Sequence, residues 1–200
     1  MMKQTLLTTF ILFLIFGTIA VLFYQQEIRY WLPTPIPADY ADVSTSTKVT
    51  NSFFEDNQRP KFVHFFNPEC PCSKFNLTSY KTLISAYKDD FECFAVVQNS
   101  GEGIASDDLK FLKELNVTLI VDQDQHLAKQ LGVYSTPQLA LLDSDNQLYY
   151  RGNYNQARYC TNPQTFYAKM AIDSLINGQL YTIPNPAFVA YGCSLERHTH

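Results

Sequence analysis

The sequence predicts an α/β domain, a central mixed β-sheet flanked by helices, carried behind an N-terminal transmembrane helix. Three observations lead there. No charged residue interrupts the chain between Lys3 and Glu27. From Lys61 onward, short apolar runs alternate with amphipathic stretches, the pattern of strands alternating with helices. The composition, 46% hydrophobic with 14% aromatic and 17% charged, supplies a sizeable core without help from disulfides. The domain organisation read from these features is an anchor over residues 1–26, a linker over 27–50, the folded domain over 51–180 and a C-terminal tail over 181–200.

The anchor is argued from length. Leu6 to Tyr24 is nearly all apolar, and as a helix it spans roughly 28 Å, the thickness of a bilayer core. A cleaved signal peptide is the alternative, with Thr18 and Ala20 as weak small-residue sites. The apolar run continues past Ala20 through Phe23, which favours an uncleaved span. Tyr24, Tyr30 and Trp31 suit an interfacial aromatic belt. The domain is expected on the extracytoplasmic, periplasmic side, where cysteines can be oxidised. Pro33 to Pro37 reads as an extended spacer. A net charge of -4 with no basic run argues against nucleic acid as a partner.

Within the domain, Lys61 to Phe66 reads as a buried strand and Ser73 to Tyr87 as a helix with an apolar stripe. Phe91 to Val97 is a second strand. Ser106 caps a helix through Leu115. Val117 to Val121 is a third strand, and Asp124 to Leu131 a short helix stopped by Gly132. Gln138 to Leu142 and Gln147 to Arg151 form a hairpin. Pro163 to Ile176 is a single helix, entered through Asn162 and closed by Gly178. The tail after Tyr181 shows no periodicity and reads as loose chain.

The chemistry concentrates at Asn67-Pro-Glu-Cys-Pro-Cys-Ser73, between the first strand and the helix that follows. A helix N-terminus presents unpaired N–H groups and the positive end of the helix dipole, and both stabilise a thiolate, the nucleophile of thiol–disulfide exchange. Cys70 precedes the helix and is the expected attacker. Cys72, just inside it, is the expected resolver. The Cys-x-Cys spacing closes so short a loop that relaxed disulfide geometry is hard to reach. Structural disulfides and a metal site are the competing readings. A zinc site needs four ligands, and no second close Cys or His pair supplies them, so no metal and no cofactor is expected.

The strand Phe62–Phe66, the turn Cys70-Pro-Cys72 and the segment Tyr134-Ser-Thr-Pro-Gln138 together resemble the thioredoxin superfamily, over about Phe53 to Gly178. The resemblance is closest to its membrane-anchored, extracytoplasmic thiol–disulfide oxidoreductase and peroxiredoxin-like branch, in a form with a Cys-Pro-Cys turn. It implies a thioredoxin-like fold, a cis proline at Pro137 packed beside the active cysteine, and a backbone at Thr136 that pairs with a substrate chain. It also implies protein or small-molecule thiols and disulfides as substrates, and a redox partner protein. A thiol peroxidase of this branch carries Thr three residues before its cysteine, where this chain has Asn67.

Three cysteines remain. Cys93 lies mid-strand and reads as a buried apolar filler. Cys160 and Cys193 form the first-choice structural disulfide, stapling the tail to the domain. The alternative gives one of them a long-range role as resolver of Cys70. His64 reads as a core histidine with a satisfied hydrogen bond, against a copper ligand in a chaperone-like site. Two classes of function therefore stand. One is a dithiol oxidoreductase. The other is a binding module or metallochaperone on the same fold.

Overall fold

The computed structural model describes residues 2–30, 32–54, 58–97, 110–112, 114–122, 124–157, 162–178 and 182–195. It opens with helix α1, Met2–Gln26, none of whose residues is buried against the domain. By length and composition α1 can cross a membrane, a property that a signal sequence shares.

The domain is built on a five-stranded sheet of order β3-β2-β1-β5-β6. Its strands are β1 (Lys61–Phe66), β2 (Glu92–Val97), β3 (Thr118–Val121), β5 (Gln138–Leu142) and β6 (Leu148–Gly152). β1 to β3 run parallel, and β5 and β6 close the other side as an antiparallel hairpin. As the central strand, β1 is covered on both faces, which is why Lys-Phe-Val-His-Phe-Phe shows no polar alternation. Phe62 and Phe66 face helices α2 (Pro71–Tyr87) and α4 (Tyr167–Asn177), packing with Tyr80, Ile84, Ala171 and Ile172. Val63 and Phe65 face the short helix α3 (His126–Gln130), packing with Leu127 and Leu131. This is a mixed sheet flanked by helices, as the alternation predicts, in the thioredoxin-like arrangement that the resemblance implies.

Local chemistry sets the helix limits. α2 starts at Pro71, two residues ahead of the expectation, because proline suits the first turn of a helix, where its missing N–H leaves no bond unmade. Asp122 accepts hydrogen bonds from the N–H groups of Leu127 and Ala128 and so holds the start of α3. Gly132 (φ +67) and Gly178 (φ +62) follow α3 and α4 in the left-handed conformation expected of helix stops. The predicted helix from Pro163 is divided. Asn162 caps a 3-10 turn over Pro163–Thr165, and Phe166 (ψ 73) breaks the backbone before α4 begins. Of the predicted Ser106–Leu115 helix, residues 110–112 and 114 are helical, and its cap lies outside the described residues.

Two segments differ from expectation. The linker is not a detached spacer: Pro33 bridges to Tyr191, Lys48 bridges to Gln147, and Val49 is buried in the core. The tail is not loose chain. Ala187, Ala190, Tyr191 and Leu195 are buried, and Cys193–Ser194 forms strand β7. β7 pairs antiparallel with β4, Ser135–Thr136, in a second small sheet. Apolar burial at these positions supplies what the missing periodicity concealed.

Candidate functional site

The turn before α2 is organised by Asn67. Its side-chain oxygen accepts from the N–H of Glu69 (2.9 Å), and its carbonyl accepts from the N–H of Cys70 (3.0 Å). Ser73, fully buried, accepts from the N–H of Asn67 through its hydroxyl. Cys70 is thereby held as the residue that caps α2, in extended conformation (φ -81, ψ 117). Its sulfur stands at the positive end of the helix, where a thiolate is stabilised when one forms. A shallow hollow lined by Glu69, Pro71, Lys74 and Phe75 opens beside the turn.

Across from the turn, β4 delivers Thr136 and Pro137. The Thr136–Pro137 peptide is cis, as the resemblance implies. The sulfur of Cys70 lies 3.5 Å from the carbonyl oxygen of Thr136. The structure thus brings Cys70 and the Thr136–Pro137 turn together, although 66 residues separate Cys70 from Thr136.

Cys70 is disulfide-bonded to Cys193, with their Cα atoms 5.9 Å apart, well inside the range that a disulfide spans. This corrects the expected Cys160–Cys193 staple. The β4–β7 ladder sets Cys193 opposite Thr136, so Cys193 arrives over Cys70, and Cys160 lies outside the described residues. It also changes the expected partner of Cys70. Cys72 is a thiol, 2% exposed, covered by the helix it enters, while Cys193 approaches from a different strand with no short loop to close. The long-range pairing of Cys70 with Cys193 is the one present.

The arm bearing Cys193 is fixed at several points. The N–H of Leu195 donates to the carbonyl of Tyr134, and the side-chain amide of Gln125 donates to the carbonyl of Leu195. Ser135 donates to the carbonyl of Tyr191 (3.1 Å), and Thr34 of the linker shares a hydrogen bond with the Ser135 hydroxyl (2.9 Å). Gly192 (φ +117) lies so close to Thr136 that a Cβ there would collide with the Thr136 carbonyl oxygen. Sequence reasoning did not single out Gly192, Thr34 or Ser135. The one signal present was a glycine directly before a cysteine in a tail otherwise read as loose.

His64 and Cys93 sit elsewhere in the core. His64 is buried, stacked on Tyr80 (4.0 Å between ring centres), with Nδ1 hydrogen-bonded to the Tyr154 hydroxyl (2.7 Å). Burial pushes its pKa down to about 3, so the ring is neutral. Burial pushes the Cys93 thiol up to about 12, which leaves it unreactive near neutral pH. Among the described residues no group of three or more His, Cys, Asp or Glu side chains could hold a metal ion.

Residues 40–194 match the family described as Domain of unknown function (DUF6436). The chain belongs to this family. The DUF6436 match takes in Cys70, Thr136, Pro137 and Cys193. A search of curated proteins finds no match. Among solved structures, the DUF6436 chain is similar to a hypothetical protein from Sinorhizobium meliloti 1021 (TM-score 0.61, 16% identity, 78% of this chain and 96% of that chain). It is similar to an uncharacterized conserved protein from Geobacillus kaustophilus (TM-score 0.58, 22% identity, 72% of this chain and 79% of that chain). A more distant likeness is to the thioredoxin domain of a thiol-disulfide oxidoreductase from Bacteroides vulgatus (TM-score 0.42, 14% identity, 55% of this chain and 89% of that chain). At these identities the first two likenesses speak to fold alone. The thioredoxin-like reading of the DUF6436 chain rests on its own strand order and on the cysteine at the start of α2 beside a cis proline.

Proposed function

We propose that this protein is a membrane-anchored thiol–disulfide oxidoreductase acting on extracytoplasmic thiols or disulfides, with Cys70 as the attacking residue and Cys193 as its resolver. The observation that carries the reading is the Cys70–Cys193 disulfide, set at the N-terminus of α2 and against the carbonyl of Thr136. Thr136 and Pro137 line the position from which a substrate sulfur approaches. α1 supplies the anchor, and a disulfide suits an oxidising compartment.

The exchange is balanced as follows. A substrate thiolate attacks the sulfur of Cys70, the bond to Cys193 breaks, and its electron pair leaves on Cys193, which takes up a proton. A second substrate thiol then attacks the substrate sulfur of the mixed disulfide. This closes a substrate disulfide and leaves Cys70 as a thiolate facing the helix N-terminus. Two electrons pass from the substrate dithiol to the Cys70–Cys193 pair. Run in reverse, the same steps reduce a substrate disulfide. A redox partner protein returns the pair to its starting state: its disulfide accepts the two electrons after the oxidising direction, and its dithiol donates two after the reducing one.

The test is trapping in the full-length chain. Cys193→Ser leaves Cys70 without its resolver and should accumulate mixed disulfides, visible as bands that reduction removes. Cys70→Ser should abolish the bands. A Cys70→Ser protein that still traps would overturn the reading. Protease protection in intact cells and spheroplasts tests the side of the membrane, and a domain shielded by the inner membrane would refute the extracytoplasmic placement.

A further inference from the structure

The arm that carries Cys193 does more than deliver a sulfur. β4 is a two-residue strand whose pairing partner is β7. Lift β7 away, and the backbone edge at Thr136 opens directly beside the sulfur of Cys70. An open strand edge next to a reactive sulfur receives an extended polypeptide by strand addition. The arm is such a polypeptide: extended, antiparallel to β4, cysteine opposite Thr136, and Leu195 buried two residues beyond. The pairing carries one steric condition. The residue before the cysteine lies against the Thr136 carbonyl oxygen, at a distance that a Cβ cannot share.

We propose that residues 191–195 are a resident occupant of the substrate edge, and that the site selects extended polypeptide segments in which glycine immediately precedes the cysteine. This rests on the oxidoreductase reading and adds to it. The arm and an external chain compete for one edge, so a substrate reaches Cys70 only as the arm undocks. Gly192 is a specificity-determining position of the arm and marks the position where a substrate must be bare. Breaking the Cys70–Cys193 bond removes the covalent tie, leaving hydrogen bonds at Tyr191 and Leu195 and the contacts of the linker as the hold on the arm.

The probe is a pair of five-residue peptides, Tyr-Gly-Cys-Ser-Leu and Tyr-Val-Cys-Ser-Leu, each activated as a mixed disulfide with thionitrobenzoate. The protein is the full-length chain in detergent carrying Cys193→Ser. Attack by the Cys70 thiolate forms the Cys70–peptide disulfide and expels the coloured thionitrobenzoate anion, whose absorbance gives the rate. Mass spectrometry locates the product on Cys70. The glycine peptide should react at least about tenfold faster, the size of effect that one steric overlap produces. Adding Gly192→Val to the Cys193→Ser chain should expel the arm and raise the glycine-peptide rate further, with circular dichroism confirming the fold. Should that variant fail to fold, the peptide pair on Cys193→Ser alone decides. Equal rates for the two peptides would overturn the selection proposal and leave the oxidoreductase reading standing. Failure of Cys70 to react with either peptide, or with free Ellman's reagent, would overturn both.

Discussion

Acidification should destabilise the domain through one residue, His64. The ring is buried and is faced by Tyr80, Tyr154 and Phe66, and none of these carries a charge that would compensate a proton. Its Nε2 has no hydrogen-bond partner among the described residues. The folded-state pKa is about 3, whereas an exposed histidine titrates near its ordinary value of 6.5. A depressed folded pKa means that the unfolded chain takes up the proton first. Stability is therefore complete above pH 6.5 and falls as pH drops toward 3, by about 1.4 kcal/mol for each unit within that window. At pH 5 the loss is about 2 kcal/mol, a substantial part of a small domain's stability. Urea unfolding of the full-length chain in detergent at pH 7.5 and pH 5 measures it. With a slope typical of small domains, the midpoint should drop by about 1 M. His64→Phe removes the ionisable group and should lower stability at both pH values through the lost bond to Tyr154, while flattening the difference between them. Parallel falls for the two proteins between pH 7.5 and 5 would refute the assignment of the acid effect to His64.

Two further expectations follow from the cysteines. Opening the Cys70–Cys193 bond frees a loop of 123 residues, for which the chain-entropy estimate of lost stability is about 5 kcal/mol as an upper value. Cys193→Ser should therefore unfold at markedly lower urea than the oxidised wild type and at nearly the same urea as the reduced wild type. A variant as stable as the oxidised protein would count against the linkage. Cys93→Ala should leave trapping and alkylation at pH 7.5 unchanged, because burial holds that thiol up at about 12. A drop in alkylated thiol at pH 7.5 on this substitution would contradict the burial argument.

The legible parts of this protein were those whose signals are local. The apolar run Lys61–Phe66 marks a central strand because burial on both faces removes alternation. The turn from Asn67 to Ser73 marks a helix start through its own residues, Asx-type bonding at Asn67 and proline at the first helical position. Pro137 marks the opposing element because an X-Pro at the start of a buried strand needs a special backbone. The partner of Cys70 lacked any such signal. Cys193 is 123 residues away and reaches the site through a two-residue strand, too short for an alternating pattern to register. Phe166 likewise divides the last helix by its own backbone geometry (ψ 73), against a sequence whose caps and apolar spacing favour one continuous helix.

The contacts of the linker connect the end of α1 to the surroundings of Cys70 and Cys193. Thr34 donates its N–H to Ala190 (2.8 Å) and shares a hydrogen bond with Ser135, the neighbour of Thr136, while Pro33 bridges to Tyr191. The start of the linker is thus one of the walls that hold the Cys193 arm in place. Pro33 lies seven positions beyond Gln26, the end of α1, so six residues stand between them. Even fully extended, that stretch reaches about 25 Å. In the anchored reading, the arm and the Cys70–Cys193 pair therefore stay near the bilayer surface, whatever the orientation of the rest of the domain. A redox partner embedded in the same membrane could meet the pair by lateral diffusion, and a soluble substrate would have to present its cysteine in an extended segment able to enter that narrow layer. The same geometry makes the linker a second hold on the arm. A pull on residues 27–33 bears directly on Thr34, and through Ala190 and Tyr191 on the strand that must lift for a substrate to reach Cys70.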